Sequence, residues 1–315
     1  MISCLNEQRA LMPTKSPREL QEFVRDTISR LGRSFNPDVL KATYALYTPL
    51  QESAHRTGIA TERDVAYGPH QRQRLDLFFP APRPTKAPIV AYFHGGGYVG
   101  GERSPVPNLI YDNVATFFAR NGMIGVNATY RLAPEYRWPS GGEDVGHVVA
   151  WLRANAAVFG GDPERIFVIG QSAGGTHVAT WALDRSLHGP SGPGISGAVL
   201  LSPVLAPCDQ QYNPGTPPPH RLAYFGSNEE AWADMNLLNH VSPGHPPFFI
   251  SVAEFEPPDL QWSAPALVAT LMRVDRQMPW FRYLTGHNHV SPAMQINLEG
   301  DTLGPEIVDF IRQCG

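Results

Sequence analysis

The sequence predicts an α/β protein: a mostly parallel, doubly wound sheet of eight strands, preceded by a pair of amphipathic helices. Three observations carry that expectation. From about residue 62 onward, short and nearly continuous apolar runs alternate with longer stretches of helical periodicity, the pattern of a parallel sheet buried on both faces. Glycine-rich turns follow two of those runs, at 94–98 and at 170–174. Residues 1–60 lack the strand pattern and show helical spacing instead.

The first helix is set by Ser16 as N-cap, Pro17 at the first position and Glu19 in the first turn, with Gly32 as the stop. Leu20, Phe23, Val24, Ile28 and Leu31 form its apolar stripe. Asn36-Pro37 opens a second helix in which Val39, Leu40, Tyr44, Tyr47 and Leu50 face a partner. These helices are expected to form an N-terminal cap segment over 1–60, ahead of an α/β domain over 61–315. A core-facing role for the same stripes is compatible with this and is the favoured of the two readings. Strands are expected at 62–67, 74–79, 89–93, 124–129, 166–169, 198–201, 248–252 and 281–284. Helices fall between them near 108–120, 141–159, 173–187, 263–276 and 305–313. The first two strands leave no room for a crossover helix and are expected to form a hairpin. Two segments interrupt the alternation: 203–247, rich in proline, glycine and asparagine, and the surroundings of Pro257-Pro258. Long loops of this kind usually serve as lids or binding loops.

Composition excludes several functional classes. At 315 residues, with 42% hydrophobic and 17% charged side chains, the chain reads as a soluble globular protein with a substantial core. Its formal net charge of -4 provides no basic stripe for nucleic acid and no polybasic run for an anionic membrane. Cys4, Cys208 and Cys314 are odd in number and far apart, which argues against a disulfide framework and fits a reducing compartment. No run approaches the roughly 18 apolar residues of a membrane span, and the N-terminus has no apolar signal core. A cytoplasmic placement is expected, with a small-molecule partner and a homodimer left open as the assembly.

Gly170-Gln171-Ser172-Ala173-Gly174 follows an apolar strand and precedes a helix. A serine on such a tight strand-to-helix turn adopts a strained backbone, so small residues are needed two positions to either side. The turn exposes Ser172 at the C-terminal edge of the sheet, with a helix N-terminus behind it to favour developing negative charge. Ser172 is the expected nucleophile. Upstream, the strand at 89–93 runs into His94-Gly95-Gly96-Gly97-Tyr98. Consecutive glycines let backbone amides approach a substrate without Cβ obstruction, as an oxyanion hole requires. The donors are assigned to the N–H groups of Gly95, Gly96 and Ala173, with the glycine register open by one residue. His94 is expected to brace this loop rather than carry protons. A phosphate cradle is disfavoured, because the Lys-Ser/Thr ending of a P-loop and the spacing of a dinucleotide fingerprint are both missing.

The order Ser, acid, His places the acid after the strand at 248–252, where Glu254, Glu256 and Asp259 follow. Glu256 is favoured by position, with Asp259 as the alternative. The base follows the last strand, where Gly286-His287-Asn288-His289 offers two histidines. His289 is favoured and His287 is the alternative. No residue cluster has metal-ligand spacing, and no metal is expected. Tyr98, Trp138, Tyr224 and Phe225 are candidates to line a pocket for an apolar or aromatic group, although ordinary packing accounts for them equally well.

His94-Gly95-Gly96-Gly97, Tyr130-Arg131-Leu132-Ala133-Pro134-Glu135, Gly160-Gly161-Asp162-Pro163 and Gly170-Gln171-Ser172-Ala173-Gly174-Gly175 together resemble the esterase/lipase branch of the α/β-hydrolases. Hormone-sensitive-lipase-like carboxylesterases share most of these blocks, and arylformamidase-like and feruloyl-esterase-like relatives look similar. The resemblance implies the α/β-hydrolase fold, a cofactor-independent serine esterase and a cap over the acyl pocket. Three positions depart from the hormone-sensitive-lipase-like pattern: Gln171 stands where Asp is usual, Glu256 where Asp is commoner, and Gly-His-Asn-His-Val-Ser replaces the His-Gly-Phe type. The expected reaction is hydrolysis of small to medium apolar or aromatic esters through Ser172, His289 and Glu256. An amidase using the same triad and a non-catalytic binding protein on the same fold are the rivals.

Overall fold

The computed structural model describes residues 16–208 and 215–314. Cys4, the start of the N-terminal segment and part of the 203–247 segment lie outside the described residues.

The two N-terminal helices form where their caps predict. α1 spans Pro17–Leu31, with Ser16 and Glu19 closing a reciprocal capping box. α2 spans Pro37–Glu52, and Asn36 Oδ1 accepts from the N–H groups of Asp38 and Val39. Their apolar stripes face the protein interior. Ile28, Leu46, Tyr47 and Leu50 are buried in one of the two main cores, with Leu20, Phe23, Val24 and Leu31 packed against it.

The sheet has eight strands: β1 Ile59–Ala66, β2 Arg74–Pro80, β3 Ala87–Phe93, β4 Ile124–Ala128, β5 Gly161–Gln171, β6 Gly197–Leu201, β7 Phe248–Phe255 and β8 Trp280–Asn288. Their order is β1-β2-β4-β3-β5-β6-β7-β8. β1 and β2 form the expected antiparallel pair, β2 runs antiparallel to β4, and every other pairing is parallel. Helices α3 Asp112–Arg120, α4 Ser140–Phe159, α5 Ala173–Leu183, α7 Ser263–Asp275 and α9 Leu303–Gln313 cover the two faces.

Residue alternation along the central strands explains the continuous apolar runs. Ile89, Ala91 and Phe93 of β3 join Ile166 and Val168 of β5 in one core, beneath α4, α5 and α7. Val90 and Tyr92 join Phe167 and Ile169 in the other, beneath α1, α2, α3 and α9. With both faces buried, both sets of alternate positions in β3 and β5 are apolar.

Several elements differ in length from the sequence expectation. The helix expected from 108 begins at Asp112. The helix expected through 187 stops at Leu183, where Asp184 caps a short 3-10 turn over Arg185–Leu187. β7 and β8 each run several residues further, which decides the fate of two candidate site residues below. The 203–247 segment is not a bare loop. It carries α6 Pro219–Phe225 and 3-10 turns at Glu229–Ala233 and Leu237–His240. A short α8, Ser291–Gln295, follows β8. Among the described residues, no helix is long and apolar enough to cross a membrane.

Candidate active site

Ser172 occupies the turn between β5 and α5 with φ 55° and ψ −119°, a sparsely populated region for a residue bearing a Cβ. Two hydrogen bonds hold it there. Its N–H donates to Leu201 O at the end of β6 (3.0 Å), and its carbonyl accepts from Thr176 N–H (3.1 Å). The small neighbours are required by close approach. A Cβ on Gly170 would sit 2.2 Å from Gly174 O, and one on Gly174 would sit 2.1 Å from Phe93 O. The turn can form only where both positions lack a side chain.

The Ser172 hydroxyl donates to His289 Nε2 (2.8 Å), and His289 Nδ1–H donates to Glu256 Oε2 (2.7 Å). Ser172 is 8% exposed, His289 2% and Glu256 0%. A carboxylate this deeply buried must be hydrogen-bonded. Its second oxygen, Oε1, accepts from the Ser202 hydroxyl. Three residues from separate loops thus form one hydrogen-bonded line, in the geometry that lets an imidazole take a serine proton.

The competing residues are held elsewhere. Glu254 remains within β7, where its Oε2 accepts from Gly286 N–H (2.7 Å). Asp259 pairs with Arg221 of α6 at 3.0 Å and keeps 41% of its side-chain surface exposed. His287 lies within the extended β8 and is hydrogen-bonded through Nδ1 to Ser291 Oγ (2.9 Å). Burial pushes its pKa down to about 4. The strand extension separates the two histidines: His287 is still on β8, while His289 is the first residue beyond it. Asn288 between them ties the turn to α2, donating through Nδ2 to Thr43 Oγ1 (2.9 Å).

The glycine loop lies against the nucleophile turn. A Cβ on Gly95 would meet Gln171 Oε1 at 2.4 Å and Ser172 Cβ at 3.2 Å. No side chain caps the N-terminus of α5. The N–H groups of Gly95, Gly96 and Ala173 have no acceptor among the described residues, leaving them available to an oxyanion. His94 is fully buried, its ring stacked on Tyr130 at 4.6 Å, and burial lowers its pKa to about 4. The Tyr130 hydroxyl donates to His94 O (2.7 Å), and Arg131 Nε pairs with the buried Asp144 (3.0 Å). The Tyr130-Arg131 block therefore braces the glycine loop from behind.

Of the candidate aromatics, Tyr98 and Tyr224 stack at 4.5 Å with Phe225 edge-on, and all three are buried in a cluster that includes Ala173. Trp138 packs at the margin of that cluster and lines a separate cavity of about 490 Å³ with Asp184, Asp234 and His240. A residue that sequence reasoning did not single out lies closer to the line. Phe35, in the link between α1 and α2, meets the His289 ring edge-to-face with centroids 4.8 Å apart. An isolated phenylalanine in a linker carries no periodic or motif signal. Gln171, noted only as a departure from the usual Asp, donates through Nε2 to His289 O (2.9 Å).

A model of the α/β-hydrolase fold family matches residues 90–290, from β3 to the turn that carries His289. The chain belongs to the α/β-hydrolase fold family. Within it, carboxylesterase NlhH of Mycobacterium tuberculosis is 39% identical over 132 residues, covering 41% of this chain and 40% of that protein. A probable isoprenylcysteine alpha-carbonyl methylesterase of Oryza sativa, ICMEL1, is 35% identical over 199 residues, covering 62% of this chain and 40% of that protein. The match thus spans about two fifths of the length of either relative. Esterase B from Lactobacillus rhamnosis shares the fold, with a TM-score of 0.70 at 18% identity, over 93% of this chain and 96% of that one.

Proposed function

We propose that this protein is a serine carboxylesterase that hydrolyses small to medium esters bearing an apolar or aromatic group, through Ser172, His289 and Glu256. The hydrogen-bonded line Ser172–His289–Glu256 at 2.8 and 2.7 Å carries the reading. Glu256 fixes the imidazole with Nδ1 protonated, so Nε2 is free to take the Ser172 proton as Oγ attacks the ester carbonyl carbon. The tetrahedral oxyanion is received by amides among Gly95, Gly96 and Ala173. Collapse breaks the carbon–oxygen bond to the alcohol, which leaves with the proton from His289. Water, deprotonated by the same imidazole, then attacks the acyl-enzyme and releases the acid and free Ser172.

The N-terminal segment and the 203–247 segment supply the walls of the site in this reading. Phe35 from the first meets His289. His220 from the second sits over the glycine loop, 3.2 Å from where a Gly97 Cβ would be. The apolar character of Phe35 and of the aromatic cluster against Ala173 supports an apolar substrate group.

The decisive experiment pairs Ser172→Ala with a fluorophosphonate probe. Turnover of a nitrophenyl ester should fall by roughly 10⁴-fold or more, because triad members act as a unit. The probe should label wild type at Ser172 and leave the variant unlabelled. Near-normal hydrolysis by Ser172→Ala contradicts the assignment, and failure of wild type to label favours a non-catalytic binding protein. A higher kcat/KM on a matched amide would move the substrate class to C–N bonds.

A further inference from the structure

We infer that Ser202 is a positioning residue for Glu256, a fourth member of the catalytic line whose hydroxyl fixes the carboxylate that orients His289. The inference rests on the triad reading above. Ser202 is the first residue beyond β6, buried and bearing a Cβ, yet its φ is +49°. A left-handed backbone at such a residue is disfavoured and persists where its surroundings over-determine it. Two contacts do so here. The Ser202 N–H donates to Ser251 O on β7 (2.9 Å), and the hydroxyl donates to Glu256 Oε1.

The geometry gives that strain a purpose. Among the described residues, the Glu256 carboxylate has two hydrogen-bond partners, one for each oxygen: Ser202 Oγ at Oε1 and His289 Nδ1 at Oε2. Removing the first leaves a lone carboxylate oxygen buried without a donor. It also frees the side chain to turn, and glutamate has one more torsion than aspartate to be fixed. The adjacent residue completes the arrangement, since Leu201 O accepts the N–H of Ser172. Two consecutive residues at the end of β6 therefore hold the nucleophile's backbone and the acid's side chain.

The test uses Ser202→Ala, Ser202→Gly, Glu256→Ala and the double variant Ser202→Ala/Glu256→Ala in the full chain, with ester kinetics and thermal unfolding. Both Ser202 variants should lose about tenfold or more in kcat with KM little changed, the consequence of losing a hydrogen bond to a charged group. Glycine adopts a positive φ freely, so Ser202→Gly should have a Tm about 2 °C above Ser202→Ala while losing as much activity. In the Glu256→Ala background, Ser202→Ala should add no further loss. Wild-type kcat in both Ser202 variants overturns the inference and leaves the triad intact, provided Glu256→Ala is impaired. An equal loss from Ser202→Ala in both backgrounds also overturns it, because the effect would then not run through Glu256. Full activity in Glu256→Ala removes the triad reading and this inference together.

Discussion

Gln171 Nε2 donates to the carbonyl oxygen of His289 at 2.9 Å, so the residue before the nucleophile holds the turn that carries its base. The two side chains of the Ser172–His289 bond are thereby linked a second time, through backbone and amide. Gln171→Ala should remove that link without touching substrate. A hydrogen bond of this kind contributes about 1 kcal/mol, so kcat should fall about fivefold while KM stays near its original value. Steady-state kinetics on a small nitrophenyl ester read both constants, and a change confined to KM would show that Gln171 acts on binding instead.

The glycine at 95 and the glycine at 174 should respond differently to the same added methyl. At Gly174 the new Cβ would meet the backbone oxygen of Phe93 at 2.1 Å, and backbone at the sheet centre cannot yield. Gly174→Ala should therefore unfold the protein or lower its Tm severely. At Gly95 the first atom met is Gln171 Oε1 at 2.4 Å, the end of a side chain that can move away from His289. Gly95→Ala should keep most of the stability and lose most of the activity. Equal losses of stability in the two variants would argue against this division.

How much of this was readable in the sequence follows from how local each signal is. The eight strands, the hairpin and the elbow at Ser172 were legible because apolar runs, caps and paired glycines act over a few neighbouring residues. The choice of Glu256 over Asp259 and of His289 over His287 needed strand ends, which periodicity places to within several residues only. β8 reaches Asn288, and that extension puts His287 on the strand and His289 beyond it. Ser202 and Phe35 were illegible because their roles depend on partners 54 and 254 positions away in the chain. The aromatic group around Tyr98 was visible as residues, but its burial is a tertiary fact. The apolar stripes of α1 and α2 read as core-facing ahead of cap, but the pattern alone does not separate the two. Their packing on the sheet face follows from the second core, to which both helices contribute.

Phe35 is 44% exposed while meeting His289 edge-to-face. A half-exposed ring adds little to the core, and its truncation should change stability by about 1 kcal/mol or less. Its neighbour, the His289 ring, hands a proton to the departing alcohol through Nε2 in the proposed reaction. Phe35→Ala should therefore raise KM for esters of bulky apolar alcohols, with methyl and ethyl esters little affected. A series varying only the alcohol checks this. A uniform change across the series would instead place Phe35 in control of the His289 ring.

Acid stability should be governed by three buried histidines. Burial pushes His94 and His287 down to about 4 and His177 to about 3, from 6.5. In the fold they stay neutral while the unfolded chain takes up protons below about pH 6.5. Their contribution is complete above that pH and is lost as the pH falls toward 4, at about 1.4 kcal/mol per pH unit for each histidine. Asp301 works in the opposite sense. Burial raises it to about 6, so the folded state binds that proton first and gains as the pH falls. Three histidines against one carboxyl leave a net loss of about 3 kcal/mol per pH unit near pH 5. Urea unfolding at pH 7.5, 6 and 5 measures the slope. His287→Asn retains a hydrogen-bonding partner for Ser291 and should reduce the slope by about one half, because one net proton remains of two. A stability that stays flat from pH 7.5 to pH 5 would show that these imidazoles gain protons inside the fold.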